Sequence, residues 1–131
     1  MKVLALDYGR ARTGVAVSDP TGTIARPLCV VERAGSGNGL AHLAKVIGEQ
    51  EAELVVVGLP LTLRGERGEQ ADETDRFVEA LRDVTDVPVV MFDERFTTAL
   101  AEQAVADTAE DARAAAHLLT SYLTWASNAP T

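Results

Sequence analysis

Cysteine is almost absent from this chain. Cys29 is the only one, so no internal disulfide can form. It lies among apolar neighbours and reads as a small buried hydrophobe in a reducing compartment. Histidine is scarce too: His42 and His117 stand alone, off the main apolar stripes, and read as solvated. With no Cys or His cluster, the pattern argues against a zinc site. Aromatic residues make up 5%. The pair Tyr122 and Trp125, near the C-terminus, reads as packing rather than as a platform for bases. No apolar run approaches the ~20 residues of a membrane span. Met1-Lys2-Val3 leads straight into a strand without a signal-peptide pattern, which points to the cytoplasm. Basic charge is also short. The net charge of -8 argues against gripping nucleic acid by bulk electrostatics. Of the 12 basic residues only Lys2 and Lys45 are lysines; the rest are arginines, the better fork for phosphate.

What is present fits one globular domain over residues 1–131. Hydrophobic residues are 47% and charged residues 24%, which allows a substantial core. Its organising stretch is Val3-Leu4-Ala5-Leu6-Asp7-Tyr8-Gly9. Four apolar residues form a buried strand that ends on a carboxylate, and Gly9 allows a sharp turn through positive φ. A second strand is expected over Gly14 to Ser18. Asp19-Pro20-Thr21-Gly22 is a turn, and a third strand covers Thr23 to Glu32. Pro27 makes that third strand an edge. Gly35 to Gly39 lacks the dinucleotide spacing and reads as a flexible linker, with Asn38 capping a first helix of Leu40, Leu43, Ala44 and Ile47.

Leu54 to Leu59 is a continuous apolar run, as in a strand covered on both faces. A mobile loop is expected from Leu61 to Glu69. A second helix follows, with Ala71, Thr74, Phe77, Val78 and Leu81 inward. Val87 to Phe92 gives a fifth strand, and a third helix runs from Thr97 or Thr98 to Ala106. A last helix runs from Ala109 to Ala126, with a stripe of Ala112, Ala115, Ala116, Leu119, Leu123 and Ala126 and a frayed tail beyond. A meander plus right-handed crossovers gives a five-stranded mixed α/β sheet of order 3-2-1-4-5, with helices on both faces. Strands 1, 4 and 5 then end at one rim, where open α/β sheets bind ligands.

Asp7, Asp93 and Glu94 fall at strand ends on that rim. Asp111 lies in the first turn of the last helix, four residues before Ala115, and should face the sheet. Three converging carboxylates make a hard-oxygen site suited to Mg²⁺ or Mn²⁺. Two such ions support phosphodiester hydrolysis. Bland alternatives stand beside each acid. Asp7 can close a turn, Asp93 and Glu94 can form surface ion pairs, and Thr108-Ala109-Glu110-Asp111 fits a helix-capping box. Asp93 and Glu94 point to opposite faces if the strand persists, so one is the direct ligand; the longer Glu94 is the choice. Arg10, Arg12, Arg64, Arg67 and Arg95 are placed to hold a phosphate backbone.

Four segments carry a family resemblance over nearly the whole chain. They are Leu6-Asp7-Tyr8-Gly9 with Thr13-Gly14-Val15-Ala16, Val57-Gly58-Leu59-Pro60-Leu61, Asp93-Glu94-Arg95-Phe96-Thr97-Thr98, and Asp111-Ala112-Arg113-Ala114-Ala115-Ala116. In this order the chain resembles the YqgF/RuvX family of ribonuclease H-like nucleases. The resemblance implies a ribonuclease H-like sheet, metal-binding acids at Asp7, Glu94 and Asp111, and maturation of the 5′ end of precursor 16S ribosomal RNA. An alternative role that the resemblance implies, by analogy with RuvC, is Holliday-junction resolution on branched DNA. Two positions depart from the family pattern. Ala109 stands where a Lys is usual, and Arg64-Gly65 stands where an Asp-Gly is usual.

Other readings remain open from the residues. Asp7-Tyr8-Gly9 with Thr13-Gly14 also resembles the phosphate loop of actin-like ATPases, although those use two such domains. A non-catalytic RNA-binding scaffold is a third. The partner in the leading reading is nucleic acid, the protein acting as a monomer or homodimer without a membrane.

Overall fold

Val3, Leu4, Ala5 and Leu6 are all buried, and that double-sided burial sets the architecture around the first strand. The computed structural model describes residues 1–60, 68–93 and 108–128. The elements are β1 (Val3–Asp7), β2 (Arg12–Ser18), β3 (Ala25–Glu32), α1 (Gly37–Glu49), β4 (Leu54–Leu59), α2 (Glu69–Arg82), β5 (Val89–Asp93) and α3 (Thr108–Asn128). The expected loop between β4 and α2, at 61–67, and the expected helix from 97 or 98 to 106 lie outside the described residues.

The sheet has order β3-β2-β1-β4-β5, as the sequence predicts. β1 pairs with β2 antiparallel and with β4 parallel, and β5 adds parallel to β4. β3 is the edge, where the missing N–H of Pro27 is tolerated beside a register shift at Val15/Ala16. Alternation along β1 divides two cores. Leu4 and Leu6 pack with Val15, Val55 and Val57 against Leu43 and Ile47 of α1 and Phe77 and Leu81 of α2. Val3 and Ala5 pack with Ala16, Val56 and Phe92 against Ala115, Leu118 and Leu119 of α3. Full burial of one such Leu or Val stabilises by about 1.5–3 kcal/mol, so both faces hold β1 in place.

Several local expectations need correction. Ser36, not Asn38, caps α1: its Oγ accepts from the Gly39 N–H at 3.0 Å. The glycine-rich stretch read as a linker therefore supplies the first turn of the helix. α2 begins at Glu69, which had been assigned to the loop; Glu69 and Asp72 both favour the helix N-terminus. In α3, Leu118 belongs to the buried stripe, Ala126 is exposed, and Ser127 and Asn128 are still helical. The five inward residues of α2 are all buried. The turn after β2 forms around Asp19, whose carboxylate accepts from the N–H groups of Thr23 and Ile24 at 2.8 and 2.9 Å. These bonds hold its carboxyl well below the ordinary carboxylate range. Trp125 is 53% exposed but packs with Phe92 and Tyr122 in an aromatic cluster.

Candidate active site

Asp7 is the last residue of β1 and is half-buried at the rim. The turn after it is tight. Gly9 donates its N–H to Thr13 Oγ1 at 3.3 Å, and a Cβ on Gly9 would stand 2.5 Å from the Arg12 carbonyl oxygen. Glycine is needed here for close approach. The expected positive φ is not found, since Gly22 is the glycine with that conformation among the described residues.

The contact that joins the two ends of the chain is made by Gly14. It is the antiparallel partner of Asp7. A Cβ on Gly14 would lie 1.8 Å from the backbone oxygen of Asp111 and 3.0 Å from the nitrogen of Ala112. The first turns of α3 therefore rest directly on the strand position beside Asp7. Facing residues in an antiparallel pair project to the same side. Asp7 follows Val3 and Ala5 on the side packed by α3, and Asp111 arrives on that same side. Asp7 and Asp111 are thus brought together at one rim.

Asp111 turns toward β2, not away into solvent. Its Oδ2 lies 3.1 Å from Arg12 Nε. That oxygen is buried and has no hydrogen-bond partner among the described residues. The two facts are compatible: the contact is an ion pair by distance, but the Nε–H is not aligned with the oxygen. A buried, anionic oxygen without a hydrogen bond is costly unless a cation serves it. Asp7, the strand partner of Gly14, adds a second acid at this rim, and carboxylates are the donors that hard divalent ions take. Among the described residues no group of three or more His, Cys, Asp or Glu forms a metal cluster. Glu94, the third acid of the sequence pattern, lies outside the described residues, as do Arg64, Arg67 and Arg95. Asp93 is described. It pairs with Leu59 and takes the same side of β5 as Val89, which belongs to the core under α1 and α2. Strand alternation therefore puts Asp93 on the face opposite to Asp7.

On the α2 side of the rim a cleft of about 530 Å³ runs past Asp7, Tyr8, Arg10 and Pro60 to Glu69 and Glu73. Tyr8 stacks on Phe77 with ring centroids 4.3 Å apart, which seats the rim turn against α2. Arg10, expected to hold phosphate, forms a two-point ion pair with Glu73. The guanidinium holds the Glu73 carboxyl below its ordinary range. Glu73 was not singled out from the sequence. The signal was there: Glu69 and Glu73 precede the inward Phe77 at intervals of four, so they extend its stripe toward the rim. His117 is half-buried and lines a shallow groove with Arg113 and Pro27, on the β3 side of α3.

Comparisons with known proteins agree with this geometry. The family model described as RuvX, Holliday junction resolvase, matches residues 1–125. A Chloroflexus aggregans protein, named provisionally as a pre-16S rRNA nuclease, is 48% identical over 101 residues, covering 77% of this chain and 71% of that protein. A relative from Syntrophomonas wolfei with the same name is 36% identical and covers 94% of both chains. Among solved structures, RuvC of Thermus thermophilus in complex with a Holliday junction substrate superposes with a TM-score of 0.66 over 98% of this chain and 96% of that one. At 20% identity that likeness concerns the fold, which is RuvC-like and ribonuclease H-like. Sheet order, rim acids and sequence relatives converge on one conclusion: this chain belongs to the RuvX family.

Proposed function

We propose that this chain is a divalent-metal-dependent nuclease that hydrolyses phosphodiester bonds, with 5′-end maturation of precursor 16S rRNA in the cytoplasm as its role. The observation that carries the reading is the seating of Asp111 on Gly14, the strand partner of Asp7. It gathers acids from the two ends of the chain at a sheet rim, as a site for hard cations requires. Asp7 and Asp111 are proposed as metal ligands. Glu94 is proposed as the third. Asp93 falls to the other face, and the longer Glu94 remains the proposed ligand of the two.

Bound Mg²⁺ or Mn²⁺, as a pair, would supply an activated water at neutral pH and neutralise charge on the leaving oxygen. The chain's own residues do the rest. Packing on both faces of β1 fixes Asp7, so the ligand geometry is set before substrate arrives. Arg12 offsets the charge of Asp111 and keeps its half-exposed guanidinium at the rim, where it can donate to a phosphate. Arg10, Arg64, Arg67 and Arg95 are proposed to position the backbone further out. Residues 1–131 are proposed to form one nuclease domain.

A second reading is supported by the family description itself: resolution of Holliday junctions. Symmetric cleavage of a junction would call for a two-fold dimer. One assay separates the readings. Wild type and Asp7→Asn are given precursor rRNA, single-stranded DNA and a four-way junction, each with Mn²⁺. The expected result is rRNA cleavage by wild type and a loss greater than about 100-fold in the variant, beyond what is typical of losing a group that only orients a metal ligand. Undiminished cleavage by Asp7→Asn sinks the metal site. Cleavage of the junction alone moves the role to DNA.

A further inference from the structure

The arginine beside Asp7 in the cleft is already occupied. Arg10 Nε donates to Glu73 Oε2 at 3.0 Å and its terminal nitrogen donates to Oε1, while Glu69 stands 4.0 Å from that same nitrogen. The partners differ in freedom. The Glu73 side chain is 17% exposed and sits one turn before Phe77, which is buried and stacked on Tyr8. The Arg10 side chain is 73% exposed. A fixed carboxylate thus holds a movable guanidinium at the mouth of the cleft that contains Asp7. A carboxylate and a phosphate fill the same two-pronged donor geometry, so they compete for one arginine.

We propose that Glu73 is a specificity-determining competitor: a nucleic-acid backbone entering the cleft must take Arg10 from Glu73 before it settles over Asp7. The inference rests on the nuclease reading and names a residue within it. Glu73 makes binding an exchange of partners instead of a simple gain. A strand that passes the rim without presenting a phosphate to Arg10 meets the carboxylates of Glu73 and Glu69 and is repelled. A strand that does present one gains a charged hydrogen-bonded pair in place of the one it breaks. Loosely held backbone is thereby kept away from the acids at the rim.

The test is binding, separated from cleavage by working in EDTA. Fluorescence anisotropy of a labelled 20-nucleotide single-stranded RNA is measured over a salt series. The proteins are the full chain, Glu73→Gln, Arg10→Ala, and both together. Asp72→Asn removes one charge from an exposed neighbouring position of α2 and serves as the control. Exposed ion pairs are weak, so Glu73→Gln should tighten binding by about threefold. Arg10 meets one phosphate in both complexes, so the log–log salt slope should be the same and the gain should hold across the salt series. Asp72→Asn should leave the affinity near that of wild type, and Arg10→Ala should flatten the slope by about 0.7 and erase the gain from Glu73→Gln. Glu73→Ala should repeat the result should the Gln variant fail to fold. Equal or weaker binding by Glu73→Gln overturns the proposal, as does a gain that survives in the Arg10→Ala background. Cleavage in Mn²⁺ is scored separately. A wild type that cuts while Asp7→Asn does not, with equal RNA affinity in wild type and Glu73→Gln, overturns the competitor alone. A wild type that never cuts overturns the nuclease reading whatever the affinities.

Discussion

Two arginine–acid pairs flank Asp7, and they are built differently. On the α3 side, Arg12 and Asp111 meet at 3.1 Å without an aligned hydrogen bond, and the acid is delivered by backbone packed on backbone at Gly14. On the α2 side, Arg10 and Glu73 use both prongs of the fork and are joined through side chains alone. The first pair holds a carboxylate in a fixed place by charge alone, with no hydrogen bond to its buried oxygen among the described residues. The second satisfies both partners and leaves the arginine free to move. On the proposed function, the difference separates a site for a resident cation from one for a visiting backbone.

The strongest way to break this contrast is Gly14→Ala. The new Cβ would overlap the Asp111 carbonyl oxygen, so α3 must shift from β2. Overpacking of this kind should cost about 3 kcal/mol in urea unfolding and abolish cleavage. Near wild-type stability would show that α3 does not rest where described. On the α2 side the matching change is Phe77→Leu, which removes the stack with Tyr8. A loss of about 1.5 kcal/mol is expected, with Mn²⁺ affinity unchanged because α2 carries no proposed ligand.

Arg12→Gln sharpens the contrast further. Its partner is partly exposed, so the apo protein should lose no more than about 1 kcal/mol. Removing the competing cation should let Mn²⁺ raise the melting temperature of the variant more than that of wild type. A smaller rise in the variant would mean that Arg12 supports the ion instead of standing in for it. The smallest effect concerns acid. Both Asp19 and Glu73 have lowered carboxyl pKa values in the fold. Stability from each is present above the unfolded pKa of about 4 and is lost as pH falls toward the folded value. Thermal melts should therefore decline below about pH 4. The decline should be clearly shallower in Asp19→Ala and only slightly shallower in Arg10→Ala, whose pair is exposed.

Sheet order was legible because its signals are redundant. The turn signal Asp19-Pro20-Thr21-Gly22, the continuous run of β4 and Pro27 on the edge each constrain it independently. The inward stripe of α2 was legible for the same reason. Caps and contacts were not. Ser36 and Asn38 are both good capping residues, and only the path of the chain from Arg33 decides between them. Asp7 and Asp111 were readable as rim acids, but Gly14 looked like an ordinary strand residue until α3 was seen to lie on it. Arg10 was readable as a phosphate ligand. Its engagement with Glu73 depends on how α2 crosses the rim, which pattern alone does not encode.

A bearing surface made of main chain has no adjustable part. At Gly14 the strand offers the helix nothing that could be lengthened, shortened or rotated by exchanging one amino acid for another. The separation between the two rim carboxylates therefore cannot be tuned in small steps at that point. Any change in the spacing of the ions they would hold has to come from swivelling α3 as a rigid rod about this fulcrum, through residues such as Leu118 and Leu119 further along its length.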